Sequence, residues 1–143
     1  MEILVAKEHG IRLPKKLLIT TAKVALQKIN CDDAQINICL VKDSTIKKLN
    51  KFYRGKNYAT DVLSFEIPSN FPKQSKATCA GDIIISIETA SKNAKNDGRT
   101  LNAELKELLV HGILHLYGYD HEKVTKAKSD KMFKMQRNIM KEV

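Results

Sequence analysis

Three of the chain's four histidines lie in one short stretch, HGILHLYGYDH, at its first, fifth and last positions. They are His111, His115 and His121, and Gly118 lies between the last two. On a helix, His111 and His115 would differ by about 40° of rotation and roughly 6 Å of rise, so both imidazoles would point to the same side. Two neutral imidazoles at that spacing can bind one zinc ion, with Zn–N distances of about 2.0–2.1 Å.

The third histidine requires that helix to end. If it continued, His121 would be rotated by about 240° from His115. A glycine can adopt a positive φ and turn the chain back, so we expect Gly118 to end the helix. The spacing then predicts a zinc site at the end of a helix, with an open fourth position as in catalytic sites. Alternatively, the histidines are surface or core residues without a metal. For Asp120, beside His121, two roles stay open: it orients the ring of a metal ligand, or it only forms a turn.

The same spacing is similar to the HExxHxxGxxH motif of the metzincin peptidases, but Gly112 occupies the position of their glutamate. Zinc peptidases need a carboxylate that takes a proton from water and passes it to the leaving amine. Glu104 and Glu107 lie one to two turns before His111, and we expect them on an exposed helix face. Peptide hydrolysis is therefore disfavoured, although a base from elsewhere in the chain stays open.

The composition favours a polyanionic partner. The chain has 143 residues, enough for one domain over 1–143, and 25 Lys+Arg against 16 Asp+Glu leave a net charge of +9. This excess favours nucleic acid or an acidic membrane surface, unless the lysines only keep the protein soluble.

No apolar run is long enough to span a membrane, and there is no signal-peptide pattern. The three cysteines lack a framework spacing, which indicates thiols in a reducing cytoplasm, with Cys39 and Cys79 buried.

Hydrophobic patterns predict most strands early and most helices late. Strands are expected at 2–7, 34–42, 60–67 and 80–87, and helices at 14–30, 44–53, 88–97, 100–118 and 124–141. Asp43 or Ser44 could cap the second helix, and the Pro/Ser/Lys-rich segment 68–78 is expected to be a mobile loop. We predict an α+β fold with one small mixed sheet of about four strands packed against about five helices.

Three blocks of sequence resemble the YbeY family of bacterial rRNA maturation factors and metal-dependent endoribonucleases. They are LNKFYRGKNYATDVLSFEIP, AGDIIIS and VHGILHLYGYDH, in the order found in the family, and they span Leu49 to His121. The family usually has proline where this chain has Ala59 and Glu66. These departures affect the stiffness of loops and leave the histidines unchanged.

The resemblance also implies site residues. It implies that His111, His115 and His121 bind one zinc, although other divalent transition metals suit such ligands too. It further implies that Arg54, in FYRG, is the arginine near the metal that matters for activity. A guanidinium fork beside zinc suits stabilisation of phosphoryl oxygens. From the residues alone, Arg54 could equally be structural and paired with a carboxylate such as Asp61.

The implied activity is hydrolytic cleavage of single-stranded RNA in the cytoplasm, in 16S rRNA 3′-end processing and ribosome maturation and quality control. The implied partners are rRNA, the small ribosomal subunit and its assembly factors, with no membrane. Two alternatives stay open: a non-catalytic RNA- or ribosome-binding module that zinc only staples, and a peptidase with a distant base. Whether the ribose 2′-OH or water attacks the phosphate also stays open.

Overall fold

The computed structural model describes residues 1–66, 80–119, 121 and 124–143. Within these residues the strands are β1 (Glu2–Lys7), β2 (Gln35–Val41), β3 (Val62–Glu66) and β4 (Ala80–Ser86). The helices are α1 (Lys15–Lys28), α2 (Asp43–Arg54), α3 (Ile87–Asn96), α4 (Leu101–Leu116) and α5 (Lys126–Met140). The predicted α+β class with a small mixed sheet is confirmed. The loop predicted at 68–78, Cys79 and Asp120 lie outside the described residues.

The sheet has the order β1-β2-β4-β3. β1, β2 and β4 are parallel, and β3 runs antiparallel to β4 at the edge. The alternation predicted for β2 is present: Ile36, Ile38 and Leu40 are buried, whereas the residues between them are partly exposed. One face of β2 therefore contributes to the core, as expected for a strand covered by helices on that side.

α4 is the central helix of the core. It packs against α1, α3, α5, β3 and β4, so apolar side chains are buried around most of its circumference, including Leu105, Leu109 and Ile113. It begins as predicted, because the Thr100 side chain accepts a hydrogen bond of 3.1 Å from the Ala103 N–H. A helix held on several sides is a rigid support for the histidines near its C-terminal end.

The predicted capping of α2 is wrong. The residue before the helix is Lys42, no side chain of the segment caps it, and the Asp43 N–H donates instead to Glu88 Oε1 of α3 at 2.7 Å. Asp43 Oδ1 accepts hydrogen bonds from Ser86 Oγ at 2.5 Å and from Thr89 Oγ1 at 2.6 Å. These two bonds lower the pKa of the Asp43 carboxyl. Asp43 thus ties the start of α2 to the start of α3.

Two further expectations concern thiols and membranes. Cys39 is only partly buried, and burial raises the pKa of its thiol. In the part of the chain that the structure describes, every helix is too short or too polar to cross a membrane.

A candidate metal centre in a polar cleft

The three predicted ligands converge at the C-terminal end of α4. His111 Nε2 lies 3.1 Å from His115 Nε2 and 3.1 Å from His121 Nε2. One nitrogen from each ring lies within 4.8 Å of the others. Nitrogens bound tetrahedrally to one zinc at about 2.0–2.1 Å would be roughly 3.3 Å apart. The three imidazoles therefore fit a single ion of this kind, with one side of the set left to the cleft.

Gly118 ends α4 in the way the sequence predicts. Its φ is +88°, in the left-handed region. The Gly118 N–H donates to His115 O at 3.3 Å, and the Tyr119 N–H donates to Leu114 O at 3.0 Å. This pair of bonds is the Schellman pattern, which redirects the chain after a helix. The turn brings His121 back beside His111.

Gln136 of α5 orients the first histidine, and the sequence analysis did not identify it. Its side chain is buried, with Oε1 2.8 Å from His111 Nδ1 and Nε2 3.3 Å from Glu107 Oε1. Because an ionised carboxylate only accepts hydrogen bonds, the amide nitrogen faces Glu107 and the amide oxygen faces His111. His111 therefore donates from Nδ1, which leaves the lone pair of Nε2 available for a metal.

The expectation that Glu104 and Glu107 form an exposed face is wrong. Glu104 is only 6% exposed, and its Oε2 has no hydrogen-bond partner among the described residues. Burial raises the pKa of this carboxyl, opposed by the positive charge of Arg99. Glu107 is partly buried and forms an ion pair with Arg99, which also donates to Ala103 O at 2.9 Å. Helical spacing could have indicated that Glu104 lies on the side of the site. Residues seven apart lie on the same face of a helix, as Glu104 and His111 do.

Packing explains why the peptidase glutamate is replaced. Gly112 is buried against β3 and β4, and a Cβ built there would lie 3.1 Å from Ile83 Cγ2 and 3.1 Å from Ser64 Oγ. The Ser64 hydroxyl also donates to Gly112 O at 3.1 Å. This position faces the sheet and has no room for a carboxylate side chain.

Arg54 and the histidines line one open cleft with a volume of about 1090 Å³. The end of α2 and the following loop contribute Arg54, Lys56 and Tyr58 to this cleft. The proposed pair between Arg54 and Asp61 is not found among the described residues. Asp61 instead accepts from its neighbour, the Val62 N–H, at 2.8 Å. The structure thus brings the predicted arginine and the predicted ligands to the same cavity.

Comparisons with known proteins identify the family of this chain. A family model described as Endoribonuclease YbeY matches residues 6–143. The chain is 42% identical over 142 residues to Endoribonuclease YbeY of Persephonella marina, covering 99% of this chain and 92% of the relative. For the relative of the same name from Bacillus licheniformis the identity is 37% over 139 residues, covering 90% and 87%.

A third relative of that name, from Anaeromyxobacter dehalogenans, is 42% identical, and this chain covers 66% of its length. Among solved structures, a Thermotoga maritima protein studied in solution is 32% identical, with a TM-score of 0.64 and coverage of 98% of this chain and 87% of that one. A family match across nearly the whole chain, together with relatives this similar, shows that the chain belongs to the YbeY family of endoribonucleases.

Proposed function

We propose that this chain, acting as one domain over residues 1–143, is a zinc-dependent endoribonuclease that cleaves single-stranded RNA. Its proposed role is 16S rRNA 3′-end processing, ribosome maturation and quality control in the cytoplasm, in contact with the small ribosomal subunit and its assembly factors. The observation that carries the proposal is the open three-histidine arrangement in a cleft that also contains Arg54, in a chain of an endoribonuclease family. Peptide hydrolysis is disfavoured because Gly112 leaves no room for the base.

In this mechanism the chain's residues would bind the metal, orient one of its ligands and stabilise negative charge on the phosphate. His111, His115 and His121 would bind the metal, which when bound can stabilise charge on phosphate oxygens and lower the pKa of a water molecule. Gln136 keeps the His111 ring in the orientation and tautomer that a ligand needs. Arg54 would donate two parallel hydrogen bonds to non-bridging phosphate oxygens, where negative charge develops in the transition state.

Metal binding is tested on the double variant His111→Ala/His115→Ala. We expect one metal ion per wild-type chain by elemental analysis and loss of most of it in the double variant, because a single imidazole is a weak site. His9→Ala is the matched control, since His9 is exposed and far along the chain from the site. Stoichiometric metal in the double variant would contradict the assignment of the ligands.

Cleavage is tested on single-stranded RNA and on casein with one preparation of each variant. We expect endonucleolytic products from RNA and none from casein. A 2′,3′-cyclic phosphate end means that the ribose 2′-OH attacks, whereas a 5′-phosphate end means that water attacks. RNA cleavage at an equal rate by the His111→Ala/His115→Ala protein would contradict the proposal, because the observed activity would then not depend on the histidines.

Arg54 is tested with Arg54→Ala and Arg54→Lys. Both should lower turnover by about 10²–10³, by analogy with the loss of one oxyanion donor, since lysine keeps the charge but not the planar fork. Bound metal and melting temperature should stay at the wild-type values, as they should in Arg12→Ala, an exposed arginine of another loop. Full turnover in a destabilised Arg54→Ala protein would make the residue structural.

A non-catalytic RNA-binding assembly factor is the second candidate, favoured by the net charge of +9. The two functions can be distinguished in cells whose working copy of the gene is carried on a plasmid. If the His111→Ala/His115→Ala protein binds RNA normally but leaves the 16S rRNA 3′ end unprocessed, catalysis is required. Normal ends in those cells would favour the binding function.

A further inference from the structure

Residues 51–58, which end α2 and continue into the next loop, form an unusual exposed run. All eight are exposed; three are aromatic and three are cationic, and none is acidic. Phe52 is 79% exposed, Tyr53 60% and Tyr58 54%. The cations are Lys51, Arg54 and Lys56. Large apolar groups gathered on a surface indicate an interaction site, and cations between them indicate an anionic partner.

The Phe52 and Tyr53 rings are held by ring contacts and the Tyr58 backbone by a hydrogen bond, although all three side chains are exposed. The Tyr53 ring packs on the ring of Phe65 in β3 with centroids 4.8 Å apart, and the Phe52 ring meets Tyr53 edge-on, also at 4.8 Å. Buried Asn50 donates from Nδ2 to Tyr58 O at 2.9 Å, which anchors the loop. Rings fixed in this way lose little conformational freedom when they bind a partner.

The segment is continuous with the cleft of the histidines. Arg54, Lys56 and Tyr58 line that cleft, whereas Phe52 and Tyr53 lie on the part of α2 just before it. A chain molecule whose reacting group lies at the histidines can therefore extend along residues 51–58.

We infer that residues 51–58 are a stacking platform for unpaired bases of the RNA strand that occupies the cleft. Bases stack on exposed aromatic rings, and lysine and arginine neutralise the phosphates between them, which is how proteins bind single strands without reading sequence. Bases in a duplex are already stacked on each other, so the platform selects single strands. A protein partner fits less well, because interfaces between proteins are depleted of lysine at their centre. The inference rests on the proposed function in that both use the same cleft.

The test measures binding without cleavage, using the His111→Ala/His115→Ala background. Fluorescence anisotropy compares a single-stranded RNA with a strand of equal length and charge that lacks bases. Phe52→Leu and Tyr58→Leu, which keep apolar bulk but remove the flat face, should each weaken binding of the RNA by roughly 5- to 150-fold. Neither should change binding of the abasic strand, and Phe52→Trp should restore the affinity.

Two controls separate stacking from charge. Leu4→Ala removes another exposed apolar side chain, 63% exposed on β1 at the opposite edge of the sheet, and should leave binding unchanged. Lys51→Gln should weaken both strands alike and reduce the magnitude of the log–log salt slope by about 0.7, whereas the aromatic variants should leave the slope as it is.

The outcomes separate the platform from the proposed activity. If the wild-type protein fails to cleave RNA but Phe52→Leu and Tyr58→Leu still weaken only the strand with bases, the platform stands and the endoribonuclease proposal fails. If wild-type cleavage is strong but both variants bind RNA like their parent, or weaken the abasic strand equally, the platform is overturned.

Discussion

Gln136 offers the sharpest test of how the candidate metal centre is built. Its amide oxygen lies 2.8 Å from His111 Nδ1, and its amide nitrogen lies 3.3 Å from Glu107 Oε1. Gln136→Leu removes both contacts with little change in volume. Gln136→Glu restores an acceptor for His111 but replaces the donor to Glu107 with a second carboxylate. The pair of variants therefore separates the two hydrogen bonds of one side chain.

The contacts predict different effects on metal affinity and on the stability of the metal-free protein. Loss of the partner that orients a metal-binding histidine costs about 10- to 100-fold in affinity, so Gln136→Leu should bind zinc that much more weakly. It also removes a partner from the His111 N–H and from a Glu107 oxygen, which should cost about 1 kcal/mol of stability, the lower end for unpaired groups, because both side chains are partly exposed. Gln136→Glu should retain the zinc affinity but lower the stability, because two carboxylates then face each other.

Competition with a chromogenic chelator measures the affinity, and thermal unfolding after chelation measures the stability. Asn138→Leu is the matched control, since Asn138 is an exposed amide on the same helix. If Gln136→Leu binds zinc within twofold of the wild-type protein, the orientation of His111 does not depend on this amide. If Gln136→Glu loses as much affinity as Gln136→Leu, the hydrogen bond to Glu107 rather than the one to His111 is responsible.

Three further predictions concern the supports of the site. Gly118→Ala forces alanine to a φ of +88°, so it should lower stability by about 1–2 kcal/mol and weaken zinc binding through displacement of His121, measured by unfolding and chelator competition. Gly112→Glu should lower the free energy of unfolding by about 1–3 kcal/mol through overpacking, seen as a lower melting temperature, and should give no casein hydrolysis. Asp43→Asn should cost roughly 1.5–3 kcal/mol at neutral pH in urea unfolding. Because the folded-state pKa of Asp43 is lowered, that deficit should be complete above the unfolded pKa of about 3.9 and disappear as the pH falls through the folded value.

The parts of the site that follow from local geometry could be predicted. The spacing of His111 and His115 is a property of one helix, and the position of Gly118 is a property of one turn. Neither depends on the rest of the chain. The element pattern was recoverable for a similar reason, since the alternation in β2 and the apolar face of α4 are visible within each segment.

The parts that failed depend on contacts between distant segments. Gln136 reaches His111 only because α5 packs on α4. Helical spacing places Gln136 on the face of Met132 and Ile139, but it does not indicate that this face meets His111. The burial of Glu104 also depends on the elements that pack on α4, and only its helical spacing from His111 is visible in the sequence. The predicted cap of α2 was wrong for the same reason. Asp43 has the side chain of a capping residue, but its N–H donates to Glu88. Its carboxylate accepts hydrogen bonds from Ser86 and Thr89.

The three histidines alone do not determine whether the substrate is a peptide or a nucleic acid, but the walls of the cleft beside them differ in charge. On the α4 side the cleft is lined by Asp97, Glu104 and Glu107, with Arg99 compensating only part of their charge. At the end of α2 and in the loop after it the lining cations are Arg54 and Lys56, while Asp61 and Glu66 line the cleft beside and on β3. A polyphosphate strand is repelled from the first wall and attracted to the second, so its path through the cleft is set by charge. The uncharged backbone of a peptide is neither repelled by the first wall nor attracted to the second. The same ligand spacing that serves peptidases is therefore compatible with RNA here, because Gly112 leaves no room for the base and the cationic wall attracts phosphates to the cleft.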